Sequence, residues 1–308
     1  MLVCAFPEVR ADHAPCSISP LSLKEVSTSM KTRIVAPLLA ACFALGAVLF
    51  SQHSQVRSAQ TGLPDLIVRE DTLGKQWVVR EEQLGANFCS VIEGNITPGL
   101  RKLVRFTVMT ANVGTADLVV GDPNDRINDG LFEFAECHHH YHFKNYATYE
   151  LVDPRTGQIW RAAKRGFCML DTDPNPAWYG ESPKSPQFRN CGAIGIPGNQ
   201  GISKGWTDTY RFTLGGQYFV LDGGDGQPVV PAGNYIIRIT ANPPFAAKKN
   251  EPCPYKDTNG LCHMMQESNY ANNVGWAYIN IPDHPGREGV GPLAGSEHVT
   301  EEKCDHCN

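Results

Sequence analysis

The sequence predicts an all-β protein, a single antiparallel β-sandwich domain with long, disulfide-stapled loops. Three observations lead to this fold class. Glycine (29) and proline (22) are frequent among the 308 residues, whereas charged residues make up only 19%. Short apolar and β-branched runs recur between clusters of turn-forming residues. No run of ordinary helix length shows the period of an amphipathic helix.

Six runs are expected to form strands, since turn residues such as glycine, proline, asparagine and aspartate separate them, and the first also shows rough alternation of β-branched and aromatic residues. They are residues 103–110, 146–152, 209–214, 217–221, 234–240 and 276–281. Residues 171–204 are rich in proline and glycine and show no strand pattern. So long a loop in a compact domain is usually functional or held by a staple, and Cys191 is the candidate staple.

The first 58 residues are expected to be a leader rather than part of the domain. In residues 30–58, Lys31 and Arg33 precede an apolar run at 34–50, and a polar stretch follows, as in a secretory signal peptide. Residues 1–29 are then an over-extended gene start. Lipidation of Cys42 and a retained membrane anchor are the alternatives. The expected location is secreted or extracytoplasmic, in the periplasm or at the cell surface.

The net charge of -5 and the sequence pI of about 6.1 argue against a nucleic-acid partner, because no basic surface is indicated. Of eleven cysteines, three lie in the leader, and the remaining eight suit a disulfide framework. Cys253 and Cys262 bracket a turn-rich loop and are expected to pair. Cys304 and Cys307 allow a local disulfide or an accessory metal site. Three connectivities remain open for the other four, Cys89, Cys137, Cys168 and Cys191.

Four of the ten histidines lie within residues 138–142. His138, His140 and His142 stand at i, i+2 and i+4, so on an extended strand they point to one face, about 6.5 Å apart. Their imidazoles can then converge on one metal ion. Three neutral imidazoles with an open position suit a catalytic copper or zinc. The alternative is a polar loop or a metal-scavenging histidine tract.

The histidine segment, followed by Tyr149-x-Leu151, resembles the copper segment of the lysyl oxidase family of amine oxidases. Four further segments match this family in unbroken order. Residues 164–172 resemble the segment around its quinone-forming lysine, and residues 208–210 that around its quinone-forming tyrosine. Residues 233–235 and 267–274 resemble its C-terminal part. The resemblance covers about residues 64–281.

The resemblance implies that His138, His140 and His142 bind copper. It also implies that Lys164 and Tyr210 are catalytic residues that cross-link into the cofactor lysine tyrosylquinone. Primary amines, peptidyl lysine among them, would then be oxidised by O₂ to aldehydes, with release of ammonia and hydrogen peroxide. The implied catalytic domain spans residues 62–285, and a polar tail with two cysteines follows at 286–308.

One departure from the family concerns the general base. Thr148 stands where animal members carry a histidine shortly after the copper segment, so a base assigned to that histidine cannot be transferred. Asp171 and Asp208 are the expected substitutes, since a carboxylate close to the substrate carbon can remove its proton.

The resemblance also implies a disulfide pattern. Cys137 and Cys191 match a family disulfide, so this pair is expected. Trp206 replaces a family cysteine, and Cys89 and Cys168 have each lost their local family partner. Once Cys137 and Cys191 are paired, these two cysteines are left over, which suggests a Cys89–Cys168 bridge.

A calcium site is implied as well, because animal members hold calcium between the start of the domain and the segment matched by residues 267–273. Calcium takes six to eight oxygen ligands. The implied ligands are Asp65, the Leu66 carbonyl, Glu267, Asn269, Asn272 and Asn273. The alternative is a pair of asparagine-rich turns that hold the first and last strands together.

Two alternatives to an oxidase remain. One is a secreted β-sandwich that binds metal without redox turnover, and the other is an adhesion module in which the histidines hold zinc. The pair Lys164 and Tyr210 separates them from an oxidase, because a non-catalytic protein has no reason to keep both. The leader and overall form suggest a microbial member of the family.

Overall fold

The computed structural model describes residues 62–164, 166–175, 183, 185–248, 252–297, 299 and 301–304. The leader predicted at residues 1–58 and Cys307 lie outside the described residues, so the signal peptide and the lipidation of Cys42 stay predictions. Among the helices that are described, none is long and apolar enough to cross a membrane.

Short strands dominate the described residues. The strands are β1 Leu66–Val68, β2 Trp77–Leu84, β3 Gly99–Phe106, β4 Val108–Asn112, β5 Leu118–Gly121, β6 Phe132–Ala135, β7 His140–Phe143, β8 Ala147–Val152, β9 Ile159–Arg161, β10 Asp173–Pro174, β11 Gln200–Ile202, β12 Trp206–Tyr210, β13 Tyr218–Val220, β14 Gly233–Ala241, β15 Tyr255–Lys256, β16 Cys262–His263 and β17 Val274–Ile281. The helices are α1 Glu70–Lys75, α2 Cys89–Gly94 and a 3-10 turn at Pro123–Arg126.

Three larger sheets build the domain, with strand orders β1-β4-β12-β10, β13-β3-β2 and β17-β14-β8-β9. Two-stranded pairs, β5 with β11, β6 with β7 and β15 with β16, extend them. Every one of these pairings is antiparallel. The predicted all-β, antiparallel fold class is therefore confirmed.

The core lies between the inner faces of these sheets. Strand β17 alternates exposed and buried residues along its whole length, as expected when one face of a sheet covers the core. Val104, Leu151 and Ile237, from three different strands, are fully buried in one cluster. In the same cluster the Phe106 ring stacks on Phe219 with a centroid distance of 4.9 Å. Tyr210, one of the predicted site residues, belongs to the same cluster.

The predicted strand at 103–110 is split in two. β3 ends at Phe106, β4 begins at Val108, and the two strands belong to different sheets. Thr107 makes the break, because its N–H donates to the Gln76 carbonyl at 2.9 Å and its hydroxyl accepts from the Phe212 N–H at 3.0 Å. The residues on both sides of Thr107 are buried, so the hydrophobic pattern of the sequence does not indicate that the chain passes from one sheet to another here.

The other predicted strands correspond to β8, β13, β14 and β17 to within two residues at each end. The run at 209–214 is wrong in extent, because β12 begins at Trp206 and ends at Tyr210. Beyond Tyr210 the chain turns, and the Leu214 N–H donates to the Arg211 carbonyl at 2.9 Å.

Three disulfides have both cysteines among the described residues: Cys89–Cys137, Cys168–Cys191 and Cys253–Cys262. The third confirms its prediction. The expected pairs Cys137–Cys191 and Cys89–Cys168 are wrong, although all four residues are indeed disulfide-bonded. Cys304 is also disulfide-bonded, which excludes its thiolate as a metal ligand.

Chain packing explains the observed pairing. Cys137 lies in the turn before β7, where α2 meets it, and its N–H donates to the Glu93 carboxylate at 3.3 Å. The segments that follow Cys168 and precede Cys191 lie side by side, since the Asp171 N–H donates to the Phe188 carbonyl at 3.0 Å. Each cysteine therefore bonds the one that its own segment packs against.

The tail beyond β17 returns to β2 and β3 through buried charges. Arg105, which is fully buried, donates to the Glu82 carboxylate at 2.9 Å and to the Glu301 carboxylate at 2.6 Å. The Arg80 guanidinium also contacts Glu82. At the end of the described tail, Cys304 is buried, with 7% of its surface exposed. The ion pairs thus hold the tail against the domain.

Candidate metal and cofactor site

The three histidines come together, although a single strand does not carry them. β7 begins at His140, while His138 and His139 lie in the preceding turn, with His139 at φ +54°. The simple alternation expected from i, i+2 and i+4 is therefore wrong at His138. The ring centroids of the three expected ligands are nevertheless only 4.9 to 5.7 Å apart. His139 is exposed.

The His142 ring is buried against the backbone of Gly166, where an added Cβ would overlap the ring. Burial lowers the pKa of His142 to about 2, and the positive charge of Lys164 adds to this effect. Burial also lowers the pKa of His140. Both imidazoles are therefore neutral near pH 7, which is the form that binds a metal.

The donor set fits copper, although its side chains are not arranged as a finished site. In the described part of the chain, no group of three or more His, Cys, Asp or Glu side chains already forms a metal-binding cluster. The three rings would have to rotate to share one ion. Cu(II) is suited by imidazole nitrogen ligands, and these three imidazoles are close enough together to supply them. The Nδ1 atom of His138 lies 2.8 Å from Oε2 of Glu93.

The predicted quinone-forming pair is in contact. The Lys164 Nζ atom lies 4.8 Å from the Tyr210 ring centroid, although the two residues come from different parts of the chain. The Tyr210 hydroxyl accepts from the Cys168 N–H at 2.7 Å and donates to the Cys168 carbonyl at 2.8 Å. The Phe167 ring packs edge-on against Tyr210. The backbone next to the Cys168–Cys191 disulfide therefore fixes the position of the tyrosine ring.

Burial affects both members of this pair. It lowers the pKa of Lys164 to about 8, even though the nearby carboxylates of Asp208 and Glu93 act in the opposite direction. It raises the pKa of Tyr210 well above its usual value of 10.0. A substantial fraction of the lysine is therefore a neutral amine near physiological pH, which is the nucleophilic form.

The two candidate general bases lie in different surroundings. Asp208 lines a cavity of about 330 Å³ together with the three histidines, Lys164 and Tyr210. Its carboxyl is buried, and burial raises its pKa well above the usual range. Asp171 is absent from the lining of this cavity. Its carboxylate accepts from the Ser203 N–H and hydroxyl at 2.7 and 2.6 Å and from the N–H groups of Gln187 and Phe188 at 2.7 and 3.2 Å. The structure thus brings Asp208 to the site and uses Asp171 to hold the long loop.

Thr148, which replaces the family histidine, faces elsewhere. It pairs with Thr240 across β8 and β14 and lines a separate cavity with Phe245 and Met264. Position 148 therefore supplies no general base to the cavity that contains Lys164 and Tyr210.

The two segments of the implied calcium site meet, but their polar groups bind one another. The Glu267 carboxylate accepts from the Leu66 N–H at 2.5 Å and from the Asn273 side chain at 2.8 Å. The Asn272 amide donates to the Asp65 carboxylate at 3.1 Å. Asn269 accepts from a neighbouring backbone N–H within its own turn. Direct hydrogen bonds therefore hold this junction together.

Two residues near the histidines were missed by the sequence reasoning. Glu93 lies in the six-residue helix α2, which is too short for a helical period to reveal it. Glu302 belongs to the polar tail and also lines the cavity of Lys164 and Tyr210. Neither has a local motif, because only the fold brings them to the site.

A family model described as "Lysyl oxidase" matches residues 77–275. Human lysyl oxidase homolog 1 is 27% identical over 226 residues, which cover 69% of this chain and 32% of that protein. Lysyl oxidase homolog 2 of Pongo abelii is 25% identical over 221 residues, 68% of this chain and 24% of that protein. Human lysyl oxidase homolog 4 is 24% identical over 204 residues, 63% of this chain and 24% of that protein. The chain spans about a quarter to a third of the length of these relatives.

Proposed function

The chain belongs to the lysyl oxidase family, and we propose that it is a copper- and quinone-dependent amine oxidase. Its reaction would be RCH₂NH₂ + O₂ + H₂O → RCHO + NH₃ + H₂O₂. The substrate class is primary amines, with peptidyl lysine as the expected macromolecular substrate. The observation that carries this proposal is the position of the Lys164 amine, 4.8 Å from the Tyr210 ring and beside three histidines in one cavity.

His138, His140 and His142 would hold the copper through their imidazoles. Copper and O₂ would supply the oxidation of the Tyr210 ring that allows Lys164 to cross-link to it as lysine tyrosylquinone. The chain's own part is to position both partners. The Cys168 backbone holds the tyrosine oxygen, and burial increases the fraction of Lys164 that is a neutral amine.

Asp208 is the proposed general base for the α-proton of the amine. Burial raises its pKa above the usual range, so its carboxylate binds a proton more strongly than an exposed one. It lies in the same cavity as Lys164 and Tyr210, so a substrate that reaches the cofactor is also near this carboxyl group.

The expected compartment is extracytoplasmic. Disulfides persist in oxidising environments, and three of them connect loops of this domain. A secreted protein reached by O₂ and by exposed lysine side chains agrees with the proposed reaction.

Calcium at the junction of residues 65–66 and 267–273 stays a prediction. Asn272 and Asn273 each have a buried side-chain oxygen with no hydrogen-bond partner among the described residues, which favours a cation. The Glu267 carboxylate, in contrast, already accepts several N–H groups. If calcium binds here, adding it to chelator-treated protein raises the melting temperature, and Asp65→Asn removes this increase. An equal melting temperature with and without calcium would contradict the site.

Phenylhydrazine labelling of the copper-loaded protein tests the proposed function. A quinone carbonyl reacts with this reagent to give a coloured adduct, and the Lys164–Tyr210 cross-link should be found by peptide mass spectrometry. Tyr210→Phe should abolish both signals and leave the fold intact, because the lost hydroxyl bonds only the Cys168 backbone.

If copper-loaded wild-type protein binds metal but gives neither adduct nor cross-link, the chain is a metal-binding β-sandwich without amine oxidase activity. The contact between Lys164 and Tyr210 argues against that alternative, since a purely structural site has no use for a buried amine over a tyrosine ring.

A further inference from the structure

We propose that the C-terminal tail supplies an additional copper ligand, the carboxylate of Glu302, and that Glu93 holds His138 in the tautomer that this requires. The inference rests on the copper site of the proposed function and extends its ligand set. Glu302 lies beyond the family match, which ends at residue 275. The starting point is His138, which lies between two carboxylates from different segments of the chain.

Glu93 lies beside one of the two ring nitrogens of His138. Its Oε2 atom lies 2.8 Å from Nδ1 of His138, and its Oε1 atom accepts from the Cys137 N–H at 3.3 Å. Helix α2, which carries Glu93, is joined to Cys137 by the disulfide from Cys89. At this distance the two groups form an ion-pair contact rather than an aligned hydrogen bond, and a turn of the ring that aligns Nδ1–H with the carboxylate presents Nε2 to a metal. Nε2 is therefore the ligand atom of His138.

Nε2 of His138 faces Glu302, whose Oε2 atom lies 3.8 Å away. Bonds from histidine nitrogen and carboxylate oxygen to a metal of this kind are roughly 2.0–2.2 Å long, so two ligand atoms of one ion lie up to about 4 Å apart. The two atoms already satisfy this limit. Cu(II) favours a tetragonal set of nitrogen and oxygen ligands, and the three histidines leave a position for an oxygen.

The backbone on each side of Glu302 is held in place. Glu301 is 3% exposed and ion-paired with the buried Arg105. The Glu302 carbonyl accepts from the Cys89 N–H at 3.0 Å, and the Cys304 N–H donates to the Asn87 carbonyl at 2.8 Å. Because a buried unpaired charge is costly, the pairing of Glu301 strongly favours this position of the tail. The Glu302 side chain, 72% exposed, therefore remains at the cavity mouth beside His138.

The test compares full-length wild-type protein with Glu302→Gln, Glu302→Ala and the control Glu136→Ala. Glu136 is an exposed carboxylate on the wall of a neighbouring cavity, so its removal deletes the same charge near the site. Competition with a chelator measures the Cu(II) affinity, and electron paramagnetic resonance identifies the donors. Both Glu302 variants should bind copper about 10- to 100-fold more weakly. Their spectra should lose the carboxylate oxygen, whereas the control should match wild type.

Glu93→Ala should weaken Cu(II) binding by a similar factor, and Glu93→Gln should restore most of the affinity because its amide oxygen still accepts from Nδ1–H. Melting temperatures of the copper-free variants separate misfolding from ligand loss. Equal affinities and identical spectra for wild type, Glu302→Ala and Glu136→Ala would overturn this inference and leave the proposed function standing. A wild-type chain that binds no Cu(II) would overturn both.

Discussion

Asp171 and Asp208 show how two buried carboxyls of similar exposure serve different purposes. Asp171 accepts four hydrogen bonds from the long loop, from the backbone of residues 187, 188 and 203 and from the Ser203 hydroxyl. Asp208 keeps one buried oxygen with no hydrogen-bond partner among the described residues. The Asp171 carboxylate is already hydrogen-bonded within the protein, whereas the Asp208 carboxylate has an oxygen that can accept a hydrogen bond from a substrate.

The substitutions Asp208→Asn and Asp171→Asn should therefore affect different properties, the first the reaction rate and the second the stability of the fold. Loss of the base in Asp208→Asn is expected to lower kcat by about 10²- to 10⁴-fold with little change in melting temperature. Asp171→Asn leaves buried N–H donors without acceptors and should destabilise the fold by about 3 kcal/mol. Steady-state kinetics and thermal unfolding measure the two effects. An Asp208→Asn enzyme with wild-type kcat would remove Asp208 from the mechanism.

Gly166 is a second residue whose substitution tests the site, because the His142 ring leaves no room for a Cβ. Gly166→Ala should displace His142 and weaken Cu(II) binding by at least about tenfold. Chelator competition gives the affinity. Gly215→Ala is the matched control, since its added Cβ would lie no closer than 3.7 Å to the neighbouring side chains. Equal copper affinity in both variants would show that His142 is not a ligand.

At the scale of elements, β7 is held by backbone hydrogen bonds to two separate segments of the chain. The Tyr141 N–H donates to the Gly192 carbonyl at 3.0 Å, and the Phe143 N–H donates to the Phe167 carbonyl at 2.7 Å. The segments on both sides are joined to each other by the Cys168–Cys191 disulfide. This disulfide therefore supports both β7 and the Tyr210 ring.

Replacing Cys168 and Cys191 together by serine should lower the free energy of unfolding by about 3 kcal/mol, as expected for a loop of 23 residues. The yield of the phenylhydrazine adduct should fall as well, because the Cys168 backbone positions Tyr210. Chemical denaturation and adduct absorbance measure these two quantities. The Cys253→Ser/Cys262→Ser variant, which opens a loop far shorter in sequence, is the control and should retain the adduct. Loss of the adduct in both double variants to the same extent would contradict a local role for Cys168–Cys191.

The strands also show which parts of the fold could be predicted from the sequence. The pattern of β-branched and aromatic residues between turn residues predicted β8, β14 and β17, and the last two strands turn one face to the core. It missed the break at Thr107 and the turn at His138, where hydrogen bonds to distant backbone or a left-handed neighbour decide the geometry. Lys164 and Tyr210 could be paired through the family resemblance alone. The cysteine pairing failed because it depends on which segments pack together, and no local pattern records this.

At the scale of the whole molecule, one junction joins the start and the end of the sheet framework. Glu267 accepts from the Leu66 N–H of β1 and from the side chains of Asn242 and Asn273, which flank β14 and β17. Burial raises the pKa of Glu267 to about 7, from a usual value of 4.5, and the nearby Asp65 charge adds to this effect. The junction is therefore sensitive to pH.

Because the folded pKa lies above the unfolded one, the fold favours protonated Glu267. Its contribution to stability is complete below about pH 4.5 and is lost as the pH rises through about 7. Glu267→Gln should remove this loss, so the difference in unfolding free energy between wild type and variant should change between pH 4.5 and 7. Urea unfolding across this range measures it. A difference that stays constant with pH would show that Glu267 titrates alike in the folded and unfolded states.

The position of the disulfide Cys89–Cys137 leads us to expect a fixed order for two steps of maturation, disulfide formation and metal loading. It joins the helix that carries Glu93 to the residue directly before His138, and the Cys168–Cys191 bond braces the opposite side of β7. A chain whose cysteines are reduced would lack both disulfides when copper becomes available to it. Oxidation of these thiols should therefore come before metal loading, and protein made in a reducing cytosol should need oxidative refolding before it can mature.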